Sequence, residues 1–148
     1  MPSFTRREME DAFSRYQEVA ARAASSGNWR PWADLFTDDA TYIEHHFGEF
    51  KGREAIFRWI SETMATPPND RMTSFPIAWY VIDEARGWVV CEIDNVMDDP
   101  GDGSDHRAVN WTLLKYAGDD QWSYEEDIYN PMEFGKMLEG WSAAKGAS

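Results

Sequence analysis

The sequence predicts an α+β fold: a strongly curved, mainly antiparallel sheet packed against three N-terminal helices, with a short C-terminal helix. Three observations predict it. Apolar residues recur at helical spacing in three segments up to residue 64, the period changes to two beyond residue 70, and the later strands follow one another without intervening helices. A curved sheet closed over by helices makes a cone, and a cone has an interior. The chain has 148 residues, 43% of them apolar, with 8 Trp, 8 Phe and 6 Tyr; it is expected to be one domain over 1–148 with ample material for a core.

The first helix begins at Thr5, which stands at capping-box spacing from Glu8, with Phe4 and Met9 placed as a hydrophobic staple. Met9, Ala12, Phe13, Tyr16, Val19, Ala20 and Ala23 continue it until Ser25, Ser26 and Gly27 end it. Asn28 can cap a second short helix through Pro31, Trp32, Leu35 and Phe36, ended by Asp38 and Asp39. Ala40 to His46 reads as a strand and Gly48 to Gly52 as a turn. A third helix runs from Arg53 to Met64 on the face of Ala55, Ile56, Trp59 and Ile60, and Pro67-Pro68 cannot continue it. Strands are expected at about 72–83, 87–97, 106–117 and 121–129, separated by Gly- and Asp-rich turns. Asn130-Pro131 starts the last helix, with Phe134, Met137, Leu138 and Trp141 on its apolar face. Residues 142–148 are expected to fray.

Charge and composition exclude several classes. Lys and Arg number 14 against 27 Asp and Glu, net −13, so neither nucleic acid nor an anionic membrane is an expected partner. No apolar run approaches the ~20 residues of a membrane helix, and Arg6, Arg7 and Glu8 break any leader, so a cytoplasmic protein is expected. The one cysteine, Cys91, lies in an apolar strand and reads as packing. Adjacent strand residues face opposite sides, so His45 and His46 do not converge on one metal. The acids of Asp98 to Asp105 lack the spacing of a calcium loop. No phosphate loop or nucleophile elbow occurs; no metal and no organic cofactor is expected.

Leu35-Phe36-Thr37-Asp38-Asp39-Ala40-Thr41-Tyr42, followed by Gly52-Arg53-Glu54-Ala55-Ile56, resembles the nuclear-transport-factor-2-like superfamily, in its SnoaL-like and ketosteroid-isomerase-like branch. The resemblance spans Thr5 to Trp141 and implies the cone fold. In ketosteroid isomerases a carboxylate three positions after the Asp-Asp-Ala-Thr phrase shuttles the proton, which implies Glu44 as base. Tyr42, Glu44 and His46 alternate onto one strand face. The isomerase oxyanion groups imply donors near Tyr16, which stands one turn before the family's Tyr, and at Thr112, with Asn110 on the same face. Glu126-Asp127-Ile128-Tyr129-Asn130 resembles the catalytic strand of limonene-epoxide-hydrolase-like proteins and implies Asp127 as an acid. Glu92 and Asp94 fall on that family's Arg-x-Asp pair, with Glu in place of Arg. The resulting expectation is a cofactor-independent isomerase, cyclase or dehydratase acting on an apolar small molecule. Glu44, Asp127 and Asp94 would be catalytic, and Tyr16, Tyr42, His46, Glu92, Asn110 and Thr112 would bind substrate. The rivals are a non-catalytic ligand-binding or association domain and an epoxide-hydrolase-like activity. A homodimer is expected, since the open face of such a sheet is usually paired with a second copy.

Overall fold

In the computed structural model, which describes residues 4–147, the elements run α1 (Arg6–Ser26), α2 (Arg30–Ala33), β1 (Phe36–Glu44), β2 (Gly48–Lys51), α3 (Arg53–Ala65), β3 (Met72–Ser74), β4 (Ile77–Asp83), β5 (Trp88–Met97), β6 (Arg107–Gly118), β7 (Gln121–Ile128) and α4 (Pro131–Ala147). One seven-stranded sheet has the order β2-β1-β7-β6-β5-β3, with β4 also on β5. Every pairing is antiparallel except β1 with β7. The α+β class and the curved sheet behind N-terminal helices are as the sequence predicts.

The first helix is capped as its sequence requires. Thr5 Oγ1 accepts from the Glu8 N–H at 3.1 Å, and Gly27, at φ +77°, donates to the Ala23 carbonyl at 2.8 Å. Its apolar stripe packs onto the concave face of the sheet, where Phe13, Phe36, Val89, Leu114 and Trp122 are fully buried. Each such side chain contributes about 1.5–3 kcal/mol over its exposed state.

Five local expectations are corrected. Asn28 Oδ1 does take the Arg30 N–H at 3.1 Å, but the second helix is a single turn. The Leu35 carbonyl accepts from the Trp122 N–H at 2.8 Å, so the sheet ladder draws Leu35 and Phe36 out of the helix and β1 starts earlier than expected. The expected turn at Gly48 to Gly52 is a short strand, because Phe50 stacks on Trp59 at 4.7 Å and holds the segment against β1. The strand expected over 72–83 breaks at Phe75-Pro76: proline has no N–H for the ladder, and its carbonyl instead accepts from Asp94 N–H at 2.9 Å. Residues 142–147 continue α4 rather than fraying. Trp141 anchors that end, 6% exposed, its indole N–H donating to the Asp98 carbonyl at 2.8 Å. Ser148 lies outside the described residues. Among those residues no helix is long and apolar enough to cross a membrane.

Candidate functional site

The concave face of the sheet, α1, α3 and α4 enclose a cavity of about 400 Å³. Its apolar lining includes Ile60 and Met64 from α3, Phe75 and Ile77 from the β3–β4 corner, and Phe134 and Leu138 from α4. Its polar groups come mainly from the inward face of three adjacent strands. Glu44 on β1 stands in register with Asp127 on β7, and Asp127 with Thr112 on β6. Alternation therefore sets a row of polar side chains side by side.

Asp127 is half-buried and open to the cavity. Tyr42 donates its hydroxyl to Asp127 Oδ2, and Thr112 donates to Oδ1 at 2.6 Å. Glu125 lies two positions earlier on the same face, 2% exposed, and accepts the Tyr16 hydroxyl at 2.6 Å. The two carboxyl groups share a hydrogen bond. Burial pushes Glu125 well above the usual carboxylate range, and the neighbouring Asp127 charge adds to it. Burial also raises Asp127, opposed by the hydrogen bonds it receives from Glu125, Thr112 and Tyr42. Glu125 is thus the neutral partner that donates, and Asp127 the acceptor. Tyr16 and Tyr42 are pushed far above ordinary phenols, by burial first and then by the neighbouring Glu125 and Asp127 carboxyls respectively, so both remain donors.

Glu44, 5% exposed, makes the second carboxylate of the cavity. Its Oε1 accepts from the backbone N–H groups of His46 at 2.6 Å and Phe47 at 3.3 Å, and Oε2 accepts from the Tyr129 hydroxyl at 2.6 Å. Burial, then the hydrogen bond to Glu44, raises the Tyr129 phenol. His46 lines the cavity with its ring edge-on to Phe47 at 5.0 Å, whereas His45 turns outward to Glu126 at 2.6 Å. Asn110 also lines the cavity and donates to Thr112 at 2.7 Å. Among the described residues no lysine or arginine lines this cavity.

The structure therefore brings together Tyr16, Tyr42, Glu44, His46, Asn110, Thr112 and Asp127. It does not bring in Glu92 or Asp94. On β5 the inward positions are Val89, Cys91, Ile93, Asn95 and Met97, so the two acids between them face the other side of the sheet. There Glu92 accepts the Trp111 indole N–H at 2.9 Å and Asp94 lies 3.5 Å from Arg107. Burial sends the Cys91 thiol far up, and it is fully buried. Sequence reasoning missed Glu125 and Asn95. For Glu125 a signal existed: if Asp127 faces the cavity, so does the residue two before it.

A family model described as a SnoaL-like domain matches residues 16–122. Among solved structures, a candidate isomerase from Bacillus subtilis superposes with a TM-score of 0.69 at 13% identity, covering 90% of this chain and 94% of that one. A hypothetical protein of ketosteroid-isomerase-like fold from Catenulispora acidiphila, in complex with trimethylamine, gives 0.66 at 22% identity, covering 84% and 92%. An NTF2-like protein from Anabaena variabilis gives 0.64 at 15% identity, covering 88% and 95%. At these identities the structures share the fold alone. No curated protein sequence matches the chain.

Proposed function

The chain belongs to the SnoaL-like domain family, and on that premise we propose that it is a small-molecule enzyme using carboxylate acid–base catalysis in its apolar cavity. The reaction is of isomerase, cyclase or dehydratase type, on a polycyclic, polyketide or terpenoid-like substrate. The observation that carries this reading is the Glu125–Asp127 pair beside Glu44, on one wall of an otherwise mostly apolar cavity. Burial pushes the pair toward holding a proton, which is what an acid catalyst needs. Glu44, its oxygens oriented by two backbone N–H groups and a phenol, is the base that takes a proton from carbon. Tyr16 and Tyr42 hold the acid pair in place through their hydroxyls, and Asn110 positions the substrate oxygen on which charge develops. Such chemistry needs no organic cofactor. With carboxylates and, among the described residues, no lysine or arginine in its lining, the cavity suits a neutral or cationic ligand rather than an anion. The trimethylamine complex of the Catenulispora relative is consistent with that charge preference.

The test is α-proton exchange of 2-tetralone in D2O, followed by NMR. The wild-type chain accelerates exchange, and Glu44→Gln lowers the rate by at least about 100-fold while the melting profile is retained. Unchanged exchange in that variant would leave a non-catalytic ligand-binding domain as the reading. The proposal also includes a homodimer. Trp79, Val109, Trp111 and Ile128 are each at least 40% exposed on the sheet, and Trp79 and Trp111 meet edge-on at 5.6 Å. Light scattering should give twice the chain mass, and Trp79→Glu with Trp111→Glu should give the monomer.

A further inference from the structure

Asn95 lies on the inward face of β5, is 8% exposed and lines the cavity. The orientation of its amide is set from two ends. At one end Nδ2 stands 3.2 Å from the Ala108 carbonyl, a group that only accepts. At the other, a run of hydrogen bonds leads to Asp127. Asn95 Nδ2 bonds Asn110 Oδ1 at 2.7 Å, Asn110 Nδ2 bonds Thr112 Oγ1 at 2.7 Å, and Thr112 Oγ1 bonds Asp127 Oδ1 at 2.6 Å. Asp127 accepts, so Thr112 donates to it and takes its own bond from Asn110. The Asn110 oxygen is then left to receive from Asn95. Both constraints hold Nδ2 of Asn95 against the sheet. Its Oδ1 is the remaining polar atom, and none of the hydrogen bonds among the described residues reaches it. The oxygen is not sealed off but reachable from the cavity, so a donor on a bound ligand can take the place of solvent there.

We propose that Asn95 is a ligand-binding residue, its Oδ1 accepting a hydrogen bond from a hydroxyl or amino group at the end of the ligand away from Asp127. This rests on the reading of the cavity as a small-molecule site and narrows the substrate class. The hydrogen-bonded run from Asp127 to Asn95 spans on the order of 10 Å, the length of two or three fused rings. Met72, Ile77 and Ile93 line the same cavity and offer apolar contact to such rings. The ligand is therefore an apolar molecule of about that length with a hydroxyl or amine at its far end. A molecule lacking that donor leaves the Asn95 oxygen desolvated and unpaired, and is discriminated against.

The full chain is titrated with 6-hydroxy-2-acetonaphthone and with 2-acetonaphthone, read by quenching of tryptophan fluorescence. The hydroxylated probe should bind the wild-type chain roughly tenfold more tightly. Asn95→Leu should remove that preference while changing the affinity for 2-acetonaphthone by less than about threefold. The wild-type ratio is read without any variant, so it stands even if Asn95→Leu fails to fold. Equal affinities in the wild-type chain, or a preference that survives Asn95→Leu, overturn the role of Asn95 and leave the acid–base reading in place. Binding of neither probe overturns the Asn95 assignment and the reading of the ligand's length together, whereas loss of acid–base chemistry would show only in the exchange assay.

Discussion

Glu125 and Glu126 are the same residue type, one position apart on β7, and their carboxyl groups are pushed in opposite directions. Glu125 faces inward, where burial and the neighbouring Asp127 raise it well above the usual range. Glu126 faces outward, where the Tyr124 hydroxyl at 2.6 Å and the His45 ring at 2.6 Å hold it below that range. The strand pleat alone separates the two environments. On β7, then, parity decides whether an acid is pushed toward its protonated or its ionised form.

The sharpest way to break the comparison is to neutralise one acid on each face. Asp127→Asn should lower α-proton exchange by about 10²–10⁴-fold, whereas Glu126→Gln should leave it unchanged within the error of the NMR assay. Equal losses from both variants would mean that the inner face has no special part in the chemistry.

A second test uses stability against pH. Glu125 is raised in the folded chain, so the folded state binds more protons than the unfolded state above pH ~4. Its contribution is fully present below the unfolded value and is lost as pH rises through the folded value. Glu125→Gln preserves the acceptor for Tyr16 and a donor for Asp127 without carrying a charge. Its unfolding free energy should gain on that of the wild type as pH rises above ~4, with a limiting slope of about 1.4 kcal/mol per pH unit while only the folded state holds the proton, and its melting temperature should rise with it. A constant difference across that window would mean that Glu125 ionises as freely as an exposed acid.

A smaller effect is expected at Thr112, which is 1% exposed and links Asn110 to Asp127. Thr112→Val keeps the shape but leaves an Asp127 oxygen and an Asn110 N–H without partners. The cost should be about 1–3 kcal/mol, several degrees in melting temperature. Thr112→Ser, which restores the hydroxyl, should recover most of it.

These contrasts also explain what the sequence revealed. The helix caps at Thr5 and Gly27, and the succession of strands, were legible because they rest on local spacing. Tyr42 and Glu44 were placed on the cavity wall by one family phrase and Asp127 by the resemblance of a second. Asp94 and Glu92 were misplaced by a single step, because a correspondence between families does not carry the parity of β5, and parity depends on which residues the core buries. Asn95, the inward neighbour of Asp94, carried no motif at all. Its position became meaningful only once Ala108, Asn110 and Thr112 were seen on the strand beside it. The strand at Gly48–Lys51 was hidden for a similar reason, since the Phe50 stack on Trp59 joins residues on different elements.

The smallest effect belongs to the outer acid, and its sign is the opposite of the inner one. Glu126 is held below the usual range, so its contribution is present above the unfolded value and is lost as pH falls through the folded value. Its partner His45 is 53% exposed, so solvent screens the pair and limits it to less than about 1 kcal/mol. Glu126→Gln should therefore melt slightly below the wild type at pH ~7, and the gap should close as the pH is lowered through ~4. Glu125→Gln should instead pull away from the wild type as the pH is raised. Melting curves of the two variants over the same pH series would set the two faces of β7 against each other directly. Parallel curves would show that the pleat does not divide their chemistry.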